Sequence, residues 1–432
     1  MKLQPPKGTK DLLPEENEER QEIYKEMRDL FETYGYGEVK TPAFEHFELL
    51  AEKSGPQIEE EIYAFEDKGG RKLGLRFDPT VPIARIVASD PSKPKPIKYY
   101  YITRMWRYDQ PQAGRMREFW QAGCELIGTD EPEADAEILK IANGLLESVT
   151  GERFTMKVNS RDISEAIAEE AGATDEEERM ELFRAIDKLD KKSRREVRDE
   201  LMEKDVSVNK FDDMMDQIES ENVPKDADEN LEKIIDKAKE LGVSEEDIEI
   251  DLSIARGLDY YTGFVFETFL KGKEDKGSVC SGGRYDSLIG LYGNQEVPAT
   301  GFGLGIDRLL EITEKKKKEK RYRPADIYVC PVNDEVRDEA LRLTQELRSD
   351  GFRVDTDLKK RGISKQLKYI DSKDIPYALI IGPREIENEE VSFKDMETGE
   401  ERAIAMKEMQ DYLKELPAIK QRSMKKEDHE DL

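Results

Sequence analysis

The sequence predicts an α+β core built on an antiparallel sheet, interrupted by a helical insertion and followed by a separate mixed α/β domain. Three observations carry that expectation. Residues 97–106 and 118–128 are two long runs rich in β-forming side chains around the polar loop 109–117, the pattern of an antiparallel pair. Residues 162–247 are almost free of glycine, heavily charged and helical in pattern. From residue 326 onward strand and helix periods alternate, as in a compact α/β unit with a largely parallel core.

Taken in order, the first helix opens at Leu13-Pro14. Ile23, Met27, Leu30, Phe31 and Tyr34 keep helical spacing, and Gly35 can cap its C-terminus. Residues 37–42 give a short strand stopped by Pro42. Residues 62–66 and 71–77 read as a hairpin turned at Lys68-Gly69-Gly70. After the long pair and the helical stretch, strand texture resumes at Ile248, over 248–270, 277–281 and 297–303, with a helix from Asp307. The lysine-rich run 315–321 is a solvated linker. Beyond it come strand 326–331, helix 334–349, strand 352–356, helix 362–373, strand 376–381, and strands around 386–394 and 401–405. The boundaries that follow are 1–161 and 248–322 for the core, 162–247 for the insertion, 323–415 for the last domain and 416–432 for a charged tail.

The 432 residues carry 98 acidic against 70 basic side chains, a formal charge of -28, yet 37% are hydrophobic and spread through periodic segments. A folded protein with an acidic surface is expected, of a kind suited to a salt-rich, halophilic cytoplasm that screens self-repulsion. Nucleic acid could be met only through local basic patches. Cys124, Cys280 and Cys330 lie far apart with no CxxC pair, which argues against a disulfide framework or zinc site. The only histidines are His46 and His429, so chemistry here does without a histidine acid or base unless His46 serves. No apolar segment follows Met1-Lys2 and no long apolar run occurs, so a cytoplasmic protein without membrane contact is expected.

Chemistry concentrates in a few segments. In Thr103-Arg104-Met105-Trp106-Arg107-Tyr108-Asp109 a strand delivers Arg107 at its end, before a loop with Arg115 and Arg117. Arginine forks suit phosphate and carboxylate. In Ala299-Thr300-Gly301-Phe302-Gly303-Leu304-Gly305-Ile306-Asp307-Arg308 alternate glycines bare one strand face, against which a flat ring could lie, and Arg308 begins a helix. It is not a GxGxxG dinucleotide fingerprint. The stretch RGLDYYTG at 256–263 sets a cation, a carboxylate and two phenols at the start of a strand. Read without further context, Asp78 could cap a turn before Pro79, Tyr260 and Tyr261 could be two faces of one strand, and Arg256 could pair with Asp259.

Together these segments resemble motifs 2 and 3 of the class II aminoacyl-tRNA synthetases, and residues 35–42 look like their motif 1, which in that family builds a homodimer interface. RGLDYYTG and Ser281-Gly282-Gly283-Arg284-Tyr285-Asp286 resemble the two signatures of the histidyl-tRNA synthetase family. Leu75-Arg76-Phe77-Asp78-Pro79-Thr80-Val81-Pro82 resembles its amino-acid-binding segment in the archaeal and eukaryotic style, and Arg117-Glu118-Phe119-Trp120-Gln121-Ala122-Gly123-Cys124-Glu125 the second strand of its motif 2. The likeness spans about residues 5–415. It implies a class II synthetase fold that activates L-histidine with ATP and Mg²⁺ and charges tRNA(His), with no dedicated metal site in the protein. It gives Asp78, Thr80 and Gln121 to the α-ammonium, Glu125 and Tyr261 to the imidazole with Tyr260 nearby, and Gly282 and Gly283 to close approach of the ring. Arg256 goes to the carboxylate and α-phosphate. Arg107 goes to the α-phosphate, Arg115 and Arg308 to the outer phosphates, Asp109 and Phe119 to the adenine. For the tRNA, basic patches are candidates: Arg115 and Arg117 at the acceptor end, residues 188–198 at the acceptor stem, and Lys359, Lys360, Arg361, Lys365 and Lys368, in a domain resembling the family's anticodon-binding module, at the anticodon; each could instead be a solvated face. One departure is Asp109, where many class II enzymes have glutamate.

Overall fold

The computed structural model describes residues 3–52, 60–109, 116–190, 192–220, 229–254, 261–313 and 322–420. Arg115, Arg256 and Tyr260, together with Asp259, the 315–321 linker and the tail from Gln421, fall outside them. The chain divides into two compact units: residues 1–12 with 19–316, and residues 13–18 with 317–432.

Helix α1 (Pro14–Thr33), assigned to the first unit from Glu19 on, buries Ile23, Met27 and Phe31. A short strand β1 (Gly37–Glu38) follows, then β2 (Phe44–His46), helix α2 (Phe47–Glu52), β3 (Ala64–Glu66) and β4 (Lys72–Leu75). The β3–β4 hairpin turns as expected. The Asp67 carboxylate accepts from the Gly69 and Arg71 amides at 2.8 and 3.0 Å, and Gly70 takes φ +76, which suits a residue without Cβ. With β2 these strands form a three-stranded sheet in the order β2-β4-β3, where His46 is exposed.

Helix α3 (Thr80–Ser89) leads to the long antiparallel pair β5 (Ile97–Trp106) and β6 (Glu118–Ile127). Helix α4 (Pro132–Thr150) starts on proline and stops at Gly151, whose φ of +70 closes the last turn. Strand β7 (Phe154–Ser160) is followed by five helices, α5 (Arg161–Glu170), α6 (Glu176–Asp187), α7 (Arg194–Glu203), α8 (Val208–Glu219) and α9 (Glu229–Glu240). Serines at the start of several make the boundaries sharp: Ser160 caps α5, and Ser193 forms a reciprocal capping box with Glu196 at α7. Strands β8 (Ile248–Ile250), β9 (Phe264–Leu270), β10 (Cys280–Arg284) and β11 (Ala299–Gly305) then complete the sheet, and α10 (Ile306–Ile312) follows directly.

The large sheet runs β1-β5-β6-β11-β10-β9-β7-β8, antiparallel throughout except the two outermost pairings, β1 with β5 and β7 with β8. Pairing register divides its side chains cleanly between two faces. Tyr100, Ala122, Cys124, Phe302, Leu304, Cys280 and Phe266 share one face, packed with residues of α1 and α4 in a continuous core. Thr103, Gln121, Gly123, Glu125, Gly301, Gly303, Gly283 and Glu267 share the other.

The second unit holds β12 (Ile327–Pro331), α11 (Arg337–Ser349), β13 (Val354–Thr356), α12 (Ile363–Ser372), β14 (Tyr377–Ile381), α13 (Pro383–Glu387), β15 (Glu390–Asp395), β16 (Glu401–Ala405) and α14 (Met406–Lys414). Its sheet order is β13-β12-β14-β15-β16. The first three strands are parallel and the last two antiparallel, so only half of this sheet matches the expected parallel core.

Several strand bounds change: among the described residues the run expected over 248–270 is strand only at 248–250 and 264–270, and the strand expected over 37–42 covers 37–38. The strand expected over 277–281 lies at 280–284, because a helical turn over 274–276 and Gly277 at φ +78 keep the chain out of the sheet until Cys280. The strand expected from 386 begins at Glu390, since Pro383 opens a short helix instead. All three cysteines are free and buried, and burial raises each thiol, that of Cys330 to about 12. Among the described residues no helix is long and apolar enough to cross a membrane.

Candidate active site

The polar face of the large sheet is built around Glu125. This carboxylate is 1% exposed, in the middle of β6. The Thr80 hydroxyl donates to its Oε1 at 2.8 Å, and the Tyr285 hydroxyl makes a short hydrogen bond to its Oε2. A buried carboxylate held by two hydroxyls keeps a fixed direction and accepts a further donor well. Tyr285 belongs to the quoted signature but carried no assigned role; a lone tyrosine after a strand gives no sequence signal for a partner 160 residues away.

The glycines of β11 have a clear physical reason, different from the one expected. A Cβ on Gly301 would lie 1.9 Å from Glu125 Oε2, and one on Gly303 would lie 1.9 Å from the Gln121 amide nitrogen. The bare face of β11 therefore makes room for the two polar side chains of the neighbouring strand, not for a flat ring. Gly123 repeats the device: Tyr101 lies across it, and its hydroxyl donates to the Phe302 carbonyl at 3.2 Å. Burial first, then the negative fields of Glu125 and Asp78, raise the Tyr101 phenol well above its ordinary value and keep it protonated.

Gly282 and Gly283 point to opposite faces. A Cβ on Gly283 would sit 3.0 Å from the Tyr261 ring, so this glycine admits a protein phenol. A Cβ on Gly282 would strike Phe302 and Phe266 on the helix-packed side, away from the polar face. Tyr261 is nearly buried.

Asp78 accepts from the Val81 amide at 3.2 Å, so it caps the start of α3, the plainer of its two readings, while facing the same region as Glu125. Its loop is fixed by Arg76, a buried guanidinium that donates to the Thr41 and Pro42 carbonyls, to Thr103 and to the Arg104 carbonyl. The Gln121 amide oxygen is buried with no hydrogen-bond partner. An orphan acceptor of that kind is costly unless a ligand donor meets it.

At the far end of the same strands, Arg107 donates to the Phe77 carbonyl at 3.2 Å, which sets it beside Asp78, and its guanidinium lies 5.4 Å from the Phe119 ring centroid. Arg308 donates to the Lys276 carbonyl at 2.7 Å just past β11. The preceding Asp307 accepts from the Trp120 amide at 2.6 Å and from Arg20 at 2.5 Å, fixing α10 against β6. Arg117 is used inside its own loop: it donates to the Asp109 carbonyl at 3.0 Å and stacks on Tyr108. Thus Thr80, Gln121 and Glu125 share the polar face, with Tyr261 beside Gly283, and Asp78 lies next to Arg107 and Phe119 toward its other end.

In the second unit Lys359, Lys360, Lys365 and Lys368 are exposed, whereas Arg361 pairs with the buried Asp357 at 2.7 Å and stacks on Tyr369. In the insertion, the basic run 188–198 is neutralised in part: Lys188 and Lys192 pair with Glu200, Arg194 with Asp212, Asp216 and Glu219, and Arg198 with Asp212.

Sequence comparison decides the family. The profile described as Histidyl-tRNA synthetase matches residues 8–309. The chain belongs to the histidyl-tRNA synthetase family. A second profile, Anticodon binding domain, matches residues 326–416. Among relatives, the histidine–tRNA ligase of Thermococcus kodakarensis is 39% identical over 425 residues, covering 92% of this chain and 95% of that protein. That of Pyrococcus abyssi is 40% identical over 411 residues, covering 91% and 94%. The crystal structure of histidyl-tRNA synthetase from a Nostoc species superposes with a TM-score of 0.74 at 28% identity, covering 96% of this chain and 99% of that one. The fold is thus the class II synthetase core with a C-terminal anticodon-binding domain.

Proposed function

We propose that this chain activates L-histidine with ATP and transfers the histidyl group to the 3′ end of tRNA(His). The observation that carries the reading is Glu125: a buried carboxylate, directed by two hydroxyls, on a sheet face that also bears Tyr261 and the orphan acceptor of Gln121. A neutral imidazole offers one donor and one acceptor nitrogen, and a carboxylate with a phenol can read both. Such a site rejects apolar isosteres by roughly 10⁴-fold or more, because their binding leaves its polar groups unpaired.

In this reading Asp78, Thr80 and Gln121 hold the ammonium. The histidine carboxylate attacks the α-phosphorus of ATP, the bond to the bridging oxygen breaks, and pyrophosphate leaves histidyl-adenylate. A terminal tRNA hydroxyl then attacks the acyl carbon and AMP departs. The step rests on positioning and charge more than on proton shuttling. Arg107 and Arg256 steady the α-phosphate, Arg115 and Arg308 the outer phosphates, and Phe119 and Asp109 the adenine. Mg²⁺ would supply positive charge to offset that of the phosphates. No cluster of three ligating side chains occurs among the described residues, but a phosphate-bound Mg²⁺ asks for only one or two carboxylates. Glu267, 7% exposed on the same face, fits that demand.

The reading extends to domain roles. Residues 1–161 and 248–322 form the catalytic domain, 162–247 the insertion, and 323–415 meet the anticodon through Lys359, Lys360, Arg361, Lys365 and Lys368. A cytoplasmic homodimer forms through residues 35–42, and the acidic surface suits a salt-rich cell. Histidine-dependent ATP–pyrophosphate exchange tests the core claim. Exchange by the intact chain that collapses in Arg107→Ala, by about 10²-fold or more, is expected. Histidine binding without exchange would replace it with a histidine-sensing role.

A further inference from the structure

Arg161, the first residue of α5 and the last before the helical insertion, links that insertion to the histidine end of the site. The Arg161 amide donates to the Gly263 carbonyl at 2.9 Å, and its guanidinium Nη1 donates to the Tyr261 carbonyl at 3.2 Å. The other edges of the same guanidinium face helices of the insertion: Nε meets Glu165 on α5 at 2.5 Å, and Nη2 meets Glu176 at the start of α6 at 2.9 Å. Glu176 is braced in turn by Arg179 at 2.6 Å, which also reaches Glu169 at 3.1 Å. The Arg161 side chain is only 18% exposed, so these contacts are partly shielded from water.

Residues 261–263 are gripped from the opposite side as well. The Thr262 amide donates to the Arg284 carbonyl at 2.7 Å, its hydroxyl accepts from the Asp286 amide at 2.9 Å, and the Tyr261 ring abuts Gly283. One wall of this clamp is the sheet. The other is a single planar cation whose Nε and Nη2 donors meet α5 and α6. A rigid fork with donors on three edges can fix a carbonyl relative to two carboxylates at once, which a flexible ammonium cannot.

We propose that Arg161 is a positioning residue that sets the Tyr261 phenol for the imidazole and couples it to the insertion through Glu176, so that the insertion tunes histidine affinity. The proposal rests on the histidine-activating reading of the site. Displacement of α6 would pull on Glu176, then on Arg161, then on the backbone that carries Tyr261, with no contact to ATP along the way.

Pyrophosphate exchange measured at graded histidine and graded ATP tests it on the full chain. Arg161→Met should raise KM for histidine about tenfold, the equivalent of about 1.4 kcal/mol, while KM for ATP stays within about twofold. Arg161→Lys, which keeps a donor for the carbonyl but loses the fork, should recover part of the loss. Glu176→Gln should raise KM for histidine about threefold, and adding it to Arg161→Met should change nothing more, since both act through one link. A folded Arg161→Met with an unchanged histidine KM overturns the proposal, and so do effects of the two substitutions that simply multiply. Should Arg161→Met fail to fold, Glu176→Gln decides alone: its side chain is more than half exposed, and an unchanged histidine KM there overturns the coupling. Absence of exchange in the unmodified chain would sink the activity itself, whereas normal exchange with indifferent variants sinks only Arg161's role.

Discussion

Glu125 shows how one buried side chain depends on its neighbours for its direction. Its carboxylate stays aimed because Thr80 and Tyr285 donate to it and because Gly301 leaves it space. Removing the Tyr285 hydroxyl leaves a buried carboxylate one donor short, at a cost of about 1–3 kcal/mol. Tyr285→Phe should therefore lower the urea midpoint and raise KM for histidine together; a variant that moves neither would show that the hydroxyl contact is idle. Gly301→Ala is the harsher change. Its Cβ would meet Glu125 Oε2 at 1.9 Å and the Cys124 carbonyl at 2.5 Å, and the latter is backbone that cannot swing aside. Overpacking of this sort costs about 1–3 kcal/mol, and histidine activation should be lost well before the fold. Full exchange activity in Gly301→Ala would refute the spacing argument. The sequence showed that these glycines matter but not why, because the side chains that need the space lie some 180 positions away in the chain and become neighbours only through the β6–β11 register.

At the level of elements, what could be read beforehand followed local periodicity. The β5–β6 pair, the β3–β4 turn and the run of helices between β7 and β8 all carry their own signal: alternating side chains, a Lys-Gly-Gly turn, apolar residues at helical spacing with serine caps. Misplaced edges, at β10 and β15, occur where a glycine turn or a proline-led helix precedes a strand of ordinary composition. Charge was harder to read than pattern. The basic run 188–198 suggests a nucleic-acid face, yet acidic partners on neighbouring helices occupy most of it. Those pairs have a pH signature. Hydrogen bonds from Lys188 and Lys192 lower Glu200 from the ordinary 4.5 to about 2, and cations likewise lower Glu176 and Glu181. A carboxylate whose pKa is depressed on folding contributes stability that is present above its unfolded value and lost as pH falls through the folded one. Helical content of the full chain should therefore become easier to melt between about pH 5 and pH 2, and Glu200→Gln should flatten part of that dependence. A melting temperature that stays level across the window would mean that these ion pairs do nothing for the folded state.

For the molecule as a whole, a charge of -28 sets two opposing demands. Self-repulsion is relieved by salt, so the melting temperature should rise between about 0.1 and 1 M KCl, where screening shortens from roughly 10 to 3 Å; a fall would mean that the surface ion pairs outweigh the repulsion. Binding tRNA pulls the other way, since its affinity falls with salt according to the number of phosphates neutralised. The lysines at 359, 360, 365 and 368 are exposed on the second unit, beside an Arg361 tied to Asp357 and Tyr369, and in the proposed reading they form the local patch for that task. In the proposed reading, by contrast, activation chemistry uses side chains of the first unit alone. A chain ended at residue 322 should thus keep histidine-dependent pyrophosphate exchange while charging of tRNA(His) falls steeply, chiefly through KM for tRNA. Lys359→Glu with Lys365→Glu in the full chain should reproduce the charging defect in milder form and reduce the steepness of its salt dependence by about one charge per lysine. Equal loss of exchange and charging on truncation would show that the second unit supports the catalytic sheet itself, and an unaltered salt slope would remove both lysines from the tRNA surface.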